Sequence, residues 1–160
     1  FSFSFALQKL LPSFEKIFKR DDIIIVMTEP IKSPPPQRVL PVLEKAKALY
    51  KLWVPIHRKI PRTERFGIGL RTDNTLLDLL ETLRRSAFAS GERKITLLDG
   101  AIGKVDDIRF LFHLLWETGL ISESQFILLG EKIEEIGRDV GGWRRGILAK
   151  TSAQRAEEKR

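Results

Sequence analysis

The segment ISESQFILLGEKIEEIGRDVGGWRRGI, residues 121–147, decides the fold class of this chain. Ser122 is followed three residues later by Gln125, which is the spacing of a capping box at a helix start. Ile121 and Phe126 stand at the two positions of a hydrophobic staple. Apolar residues then recur at intervals that alternate between three and four: Phe126, Leu129, Ile133, Ile136, Val140, Trp143 and Ile147. This pattern predicts a long helix with one buried stripe.

Three further helices are predicted upstream, each from its own apolar stripe. The stripe of the first helix consists of Val42, Ala46, Leu49, Trp53, Ile56 and Ile60. That of the second consists of Leu76, Leu79, Leu83 and Ala87, and that of the third of Leu98, Ile102, Val105, Ile108, Phe112 and Leu115. Pro55 is expected to kink the first helix or to end it near Val54. Ser90-Gly91 and Gly119 are the predicted stops of the second and third helices.

Four helices with short connections, and no sustained strand alternation, predict an all-α, up-down-up-down four-helix bundle over residues 38–150. Residues 1–37 are predicted to form a disordered or weakly structured extension. Since Met27 is the only methionine, residues 1–26 are interpreted as upstream sequence before a natural start. A short docking helix over residues 5–19 is the alternative. Residues 28–37 are proline-rich, and residues 151–160 form a polar tail that we expect to fray.

The net charge of +7 and the sequence pI of about 9.9 favour polyanionic partners, with nucleic acid first and an acidic protein or membrane surface second. A plain bundle with surplus lysine and arginine is the alternative. The absence of cysteine excludes disulfides, Fe–S sites, cysteine zinc sites and thiol nucleophiles. No apolar run approaches the roughly 20 residues of a membrane-spanning helix. We expect a cytoplasmic protein that does not enter a membrane.

Basic residues concentrate between the first two helices, in the segment 53–77, which we call the basic corner. The bundle topology collects a second basic set at the opposite end. Together these two sets give the candidate nucleic-acid-binding residues, which are Arg58, Lys59, Arg62, Arg65, Arg71, Arg84, Arg85, Arg93, Lys94, Arg144 and Arg145.

Cations at helix C-termini complement the helix dipole, which explains Arg84, Arg85, Arg144 and Arg145 without any ligand. The dipole does not explain Arg62, Arg65, Arg93 or Lys94, which lie near predicted helix starts, where cations are disfavoured. Positive side chains beside free backbone N–H groups favour an anion site.

Glycines punctuate the predicted helices. For Gly100 and Gly103 the favoured interpretation is close packing of helices, and the alternative is a surface approached by another subunit or a phosphate backbone. For Gly141-Gly142 a local kink that aims Trp143 is weighed equally.

Catalytic motifs are missing from the sequence. His57 and His113 are the only histidines, and no Glu-x-x-His, Gly-x-Ser-x-Gly or phosphate-loop motif occurs. His57 is expected to add a hydrogen-bond donor to the basic corner, and His113 to lie at the bundle edge. The acidic pairs Asp106-Asp107 and Glu134-Glu135 are interpreted as solvated helix faces. We therefore expect no enzyme, no cofactor and no metal site.

Several segments together resemble one family. They are LYKLWVPIHRKIPRTERFGIG (49–69), LLDLLETLRRSAF (76–88), KITLLDGAIGKVDDIRFLFHLLWETGLISESQF (94–126) and EIGRDVGGWRRG (135–146). This ordered set, across residues 40–148, is similar to the accessory variability determinant of diversity-generating retroelements. That family is related to the bundle proteins encoded in 23S ribosomal RNA intervening sequences. Its most specific parts are the segments 61–69, 121–126 and 136–143.

The resemblance implies a non-catalytic homopentamer that binds RNA or DNA with little sequence preference. It also implies association with the reverse transcriptase of a retroelement, which it would assist in mutagenic copying of template RNA. The alternative hypothesis is a self-assembling structural bundle of the intervening-sequence type, without a reverse transcriptase partner, whose arginines serve subunit contacts and helix ends.

Overall fold

The computed structural model describes residues 40–157, and all of the following statements concern this part of the chain. Four long helices account for most of it: α1 (Pro41–Lys59), α2 (Leu70–Phe88), α3 (Gly91–Glu117) and α4 (Glu123–Glu157). Within the described range no strand occurs. The predictions for residues 1–39, including the start at Met27 and the alternative helix, lie outside the described residues.

The helices form a closed ring of neighbours. Each helix packs on the next one along the chain, and α4 returns to pack on α1. This arrangement is the predicted up-down-up-down bundle, and the all-α fold class is confirmed. The buried core contains members of every predicted stripe, among them Leu49, Trp53, Leu79, Phe112 and Ile133. These side chains meet on the bundle axis because each stripe covers one face of its helix.

The turn from α3 to α4 has the predicted chemistry at both ends. Gly119, at φ +71°, follows α3, and the amides of Gly119 and Leu120 donate to the carbonyls of Trp116 and Leu115. This is a Schellman ending. At the start of α4, the Ser122 amide donates to Gln125 Oε1 at 2.9 Å, and the Gln125 amide donates to Ser122 Oγ at 3.3 Å. The capping box is therefore confirmed.

Pro55 does not end α1, which continues to Lys59. Proline removes one donor from a helix, so the carbonyl four residues earlier, on Lys51, loses its partner. Both Pro55 and Lys51 are exposed, so water can satisfy that carbonyl. The prediction allowed either a kink or an end near Val54, and the end near Val54 was wrong for this reason.

Two buried positions differ from the predicted stripes. Ser86 is fully buried where Ala87 was predicted, and Ala101 is buried beside a half-buried Ile102. The Ser86 hydroxyl donates to the Thr82 carbonyl at 2.8 Å. That hydrogen bond to its own helix lets a polar residue occupy the core.

Close helix approach occurs at other glycines than expected. Gly100 and Gly103 face open space, so the prediction that they pack against another helix was wrong. A Cβ at Gly137 would instead lie 2.7 Å from Arg109 Nη2 and 3.2 Å from Val105 Cγ1 of α3. The α4 helix is continuous through Gly141 and Gly142 and extends to Glu157, seven residues into the segment predicted as a tail.

Ion pairs tie α4 to both of its neighbours. Arg109 of α3 donates to both carboxylate oxygens of Glu134, at 2.6 and 2.9 Å, and these hydrogen bonds raise the pKa of Arg109. Lys45 of α1 lies 2.6 Å from Asp139 and 2.8 Å from Glu135. Among the helices just described, none combines the length and apolar character needed to cross a membrane.

Candidate nucleic-acid interface

The basic corner consists of the end of α1, the start of α2 and a series of short turns between them. A one-turn helix (Arg62–Glu64) follows Pro61, and a π-type turn (Arg65–Gly69) leads into α2. Gly67, at φ −92° and ψ −107°, interrupts helical geometry inside that turn. The corner is thus an ordered connection whose side chains have defined positions.

Arg65 caps the end of α1. Its Nε donates to the Ile60 carbonyl at 2.9 Å, and its Nη2 donates to the carbonyls of Ile60 and Arg58, both at 2.7 Å. These carbonyls lie at the C-terminus of α1, where a cation also complements the dipole. The argument that Arg65 lacks a structural explanation was therefore wrong, because the side chain reaches back to the preceding helix.

Within the corner, a polar cluster is built around the half-buried Asp73 of α2. The Trp53 indole N–H donates to Asp73 Oδ1 at 3.2 Å. His57 stacks on Trp53 with ring centroids 5.3 Å apart, and its Nδ1 lies 3.8 Å from the same carboxylate oxygen. Burial and the Asp73 carboxylate raise the pKa of Tyr50. This cluster joins α1 to α2 below the exposed cations.

His57 therefore does not add a donor to the exposed corner, as the sequence had suggested. Its Nε2 is buried without a hydrogen-bond partner. A Cβ at Gly69 would lie 3.1 Å from this nitrogen, so the glycine leaves room for the imidazole.

Four candidate cations remain at the corner as exposed side chains with no ion pair inside the described residues: Arg58, Lys59, Arg62 and Arg71. The topology brings them to one end of the bundle, at the end of α1 and the start of α2. Their guanidinium and ammonium groups are available to an anion in solvent.

At the opposite end, three candidates have partners within the chain. Arg85 pairs with Glu81 at 2.5 Å, Arg144 pairs with Asp99, and the Lys94 ammonium lies 5.0 Å above the Trp143 ring. These contacts account for their positions through ion pairing and a cation–π interaction. Arg84, Arg93 and Arg145 are exposed and have no ion pair in this part of the chain.

A groove of about 270 Å³ opens between the end of α2 and the start of α3, lined by Arg84, Arg85, Phe88, Ala89 and Arg93. The Phe88 side chain is 81% exposed, the highest value among the large hydrophobic residues described. Sequence reasoning missed Phe88. The sequence did contain a signal for its exposure, because Phe88 does not lie on the helix face that carries the buried residues Leu76, Leu79 and Leu83.

A larger groove, with a volume of about 570 Å³, lies between α1 and α4. Its Lys45 is paired with Asp139, whereas its Arg138 is exposed and has no ion pair among the described residues. At the α3–α4 turn, Trp116 stacks on Phe126 at 5.1 Å and His113 lies 3.6 Å from Glu117. Within residues 40–157, no group of three or more acidic or histidine side chains could hold a metal ion.

No protein-family model matches the chain, and no curated protein sequence matches it.

Proposed function

We propose that this chain is a non-catalytic protein that binds the phosphate backbone of RNA or DNA. The observation that carries the proposal is the set of seven exposed candidate cations without an ion pair among the described residues. Four lie at the basic corner and three at the opposite end of the bundle. The net charge of +7 supports the same conclusion.

Clusters of like charge repel one another, and a polyanion relieves that repulsion. Each phosphate that an arginine or lysine neutralises also releases condensed counterions from the nucleic acid. Contacts of this kind carry no sequence information. The proposed binding is therefore strong at low salt and nearly independent of base sequence.

The first experiment measures affinity for an RNA oligonucleotide as the salt concentration rises. The logarithm of the association constant should fall linearly with the logarithm of salt, by about 0.7 to 0.9 for each phosphate neutralised. An affinity that does not change with salt concentration, or the absence of binding at low salt, would refute the proposal.

A charge-reversal pair locates the contacts. The double variant Arg58→Glu/Arg62→Glu removes two unpaired cations, and we expect a large loss of affinity. The matched control is Lys47→Glu/Lys132→Glu, which changes net charge equally but replaces lysines that already pair with Glu44 and Glu135. Thermal unfolding checks that both variants fold. If both variants lose the same affinity for RNA, the loss comes from net charge alone and the basic corner makes no direct contact with the nucleic acid.

We also propose that the protein assists the reverse transcriptase of a diversity-generating retroelement, as a cytoplasmic homopentamer. The resemblance over residues 40–148 supports this part. The test is co-purification with the reverse transcriptase encoded beside the gene, together with light scattering to measure the oligomer. A gene set within 23S ribosomal RNA, with no reverse transcriptase nearby, would contradict the partner.

The second candidate function is a self-assembling structural bundle without a nucleic-acid partner. Exposed apolar residues on α2 favour it, because Leu70 and Leu77 are both 42% exposed and lie seven residues apart on this helix. Such a surface suits a packed helix from another copy. A stable oligomer that retains neither RNA nor DNA at low salt would establish this candidate over the first.

A further inference from the structure

The groove between α2 and α3 contains both an exposed aromatic ring and a set of arginines, and phosphate binding requires only the arginines. Phe88 presents a nearly free aromatic ring to solvent, and three arginines line the same groove. Phosphate binding alone needs the arginines and gives no reason for the phenylalanine. An exposed aromatic ring among cations is the arrangement that binds unpaired bases in single-stranded nucleic acid.

The local sequence builds this arrangement. Arg84 and Phe88 are four residues apart on α2, so they share one face of the helix. Gly91, at φ +55°, reverses the chain and returns Arg93 alongside them in the first turn of α3. Ser90 makes no side-chain hydrogen bond to the start of α3.

The groove carries a net positive charge from its arginines. Only Arg85 of the three arginines is paired, with Glu81 at 2.5 Å. Arg84 and Arg93 are exposed and have no ion pair among residues 40–157. An apolar partner surface would have to remove water from these guanidinium groups without replacing their hydrogen bonds, which disfavours it.

We infer that this groove binds single-stranded nucleic acid, with one base stacked on Phe88 and the flanking phosphates held by Arg84 and Arg93. A duplex cannot use the ring in this way, since its bases stack on one another and present only their edges. The inference rests on the proposed function and adds to it a preference for single strands and a position for one base.

The experiment compares a labelled single-stranded oligonucleotide of about 20 nucleotides with a duplex of the same length, by fluorescence anisotropy at fixed salt. Phe88→Ala should weaken binding of the single strand by about 10-fold, the effect of losing one stacked base. It should leave duplex affinity nearly unchanged. Phe88→Trp should restore single-strand binding, whereas Phe88→Leu, which keeps an apolar side chain without a flat ring, should not.

The matched control is Phe110→Ala. Phe110 is 64% exposed on α3, and the neighbouring Arg109 is already bound by Glu134 and Asp106. This variant should bind both oligonucleotides as the parent protein does. Both phenylalanines are exposed, so we expect both variants to fold, and circular dichroism checks this.

Each outcome separates the inference from the proposed function. If Phe88→Ala behaves like Phe110→Ala while the parent protein binds both oligonucleotides, the groove does not stack a base and the phosphate-binding proposal remains. If Phe88→Ala changes the mass measured by light scattering, Phe88 belongs to a subunit contact and the inference is overturned. If the parent protein binds neither oligonucleotide at low salt, the proposed function itself fails.

Discussion

Arg62 and Arg65 lie three residues apart in the basic corner but have different environments. Arg65 donates three hydrogen bonds to carbonyls at the end of α1. Arg62 is exposed and has no ion pair with any described residue. Because both are arginines near a predicted helix start, the sequence suggested one shared role. The direction of each side chain makes Arg65 a structural residue and leaves Arg62 as a candidate phosphate-binding residue.

This difference predicts opposite effects of two single substitutions. Arg65→Ala should lower the free energy of unfolding by about 1–2 kcal/mol, because the carbonyls of Arg58 and Ile60 lose a charged donor. Arg62→Ala should leave stability nearly unchanged and weaken RNA binding. Urea unfolding and anisotropy measure the two properties. A loss of stability from Arg62→Ala equal to that from Arg65→Ala would contradict this assignment.

Two glycines of α4 should respond differently to the same substitution. Gly142→Ala should raise the free energy of unfolding by about 1 kcal/mol, since alanine favours the helix and Gly142 faces open space. Gly137→Ala gains the same helix propensity but places its Cβ 2.7 Å from Arg109 Nη2, which must move away. We expect Gly137→Ala to be less stable than Gly142→Ala in thermal unfolding. Equal stabilisation would mean that Arg109 moves without cost.

Helix α1 is held to its neighbours by polar contacts as well as by its apolar stripe. The Trp53 indole reaches Asp73 of α2, and Lys45 reaches Asp139 and Glu135 of α4. Hydrogen bonding to Lys45 lowers the pKa of Glu135, and hydrogen bonding to Asp139 and then to Glu135 raises the pKa of Lys45. These contacts position α1, and they make its docking depend on pH.

The sign of that dependence follows from the shifts. Because the folded-state pKa of Glu135 is lowered, its contribution to stability is present above the ordinary value of 4.5 and is lost as pH falls through the folded-state value. Because the pKa of Lys45 is raised, its contribution is present below 10.5 and is lost as pH rises through the folded-state value. Both side chains are about one third exposed, which keeps the effect small.

We therefore expect Glu135→Gln to lose less stability than the parent protein as pH is lowered from about 6 to about 3. Urea unfolding at several pH values measures this difference. Glu131→Gln, an exposed position on α4 without an ion pair in the described part of the chain, is the control and should follow the parent curve. Parallel curves for all three proteins would show that the Lys45–Glu135 pair does not couple to folding.

The bundle separates its two cationic surfaces, the basic corner and the opposite end, by the length of its helices. The 19 residues of α2 correspond to roughly 28 Å. A single strand of nucleic acid that contacts both ends must therefore run along the bundle, whereas separate sites would bind short strands independently.

Alanine substitution at each end distinguishes these possibilities. Arg58→Ala/Lys59→Ala/Arg62→Ala and Arg84→Ala/Arg93→Ala/Arg145→Ala each remove three unpaired cations. If one strand contacts both ends, each variant should reduce the salt slope for single-stranded RNA by about 2, at roughly 0.7 per phosphate contact. A slope that changes in only one variant would restrict binding to that end.

Much of the fold could be predicted because it depends on local pattern. The stripe of α4, its capping box at Ser122 and Gln125, and the α3 ending at Gly119 all follow from residues a few positions apart in the chain. Local pattern also misled where solvent or tertiary contact decided the outcome. Pro55 lies on an exposed face that tolerates it, and Gly137, rather than Gly100 or Gly103, meets a neighbouring helix.

The candidate site was predictable only as a set of cations. Periodicity and net charge depend on residue type and spacing, so the order of residues is enough to predict a helical bundle with basic ends. Which of these cations lack a partner depends mainly on how the helices pack. The partners of Lys94 and Arg144 lie on another helix, and those of Arg65 are carbonyls at the end of α1, so charge counting cannot supply them. Phe88 likewise becomes a site candidate only beside Arg93 of the next helix. The Glu81–Arg85 pair is different, because a spacing of four residues on one helix already predicts it. The physical reason is that an ion pair or a groove is a distance between side chains, and the fold fixes that distance.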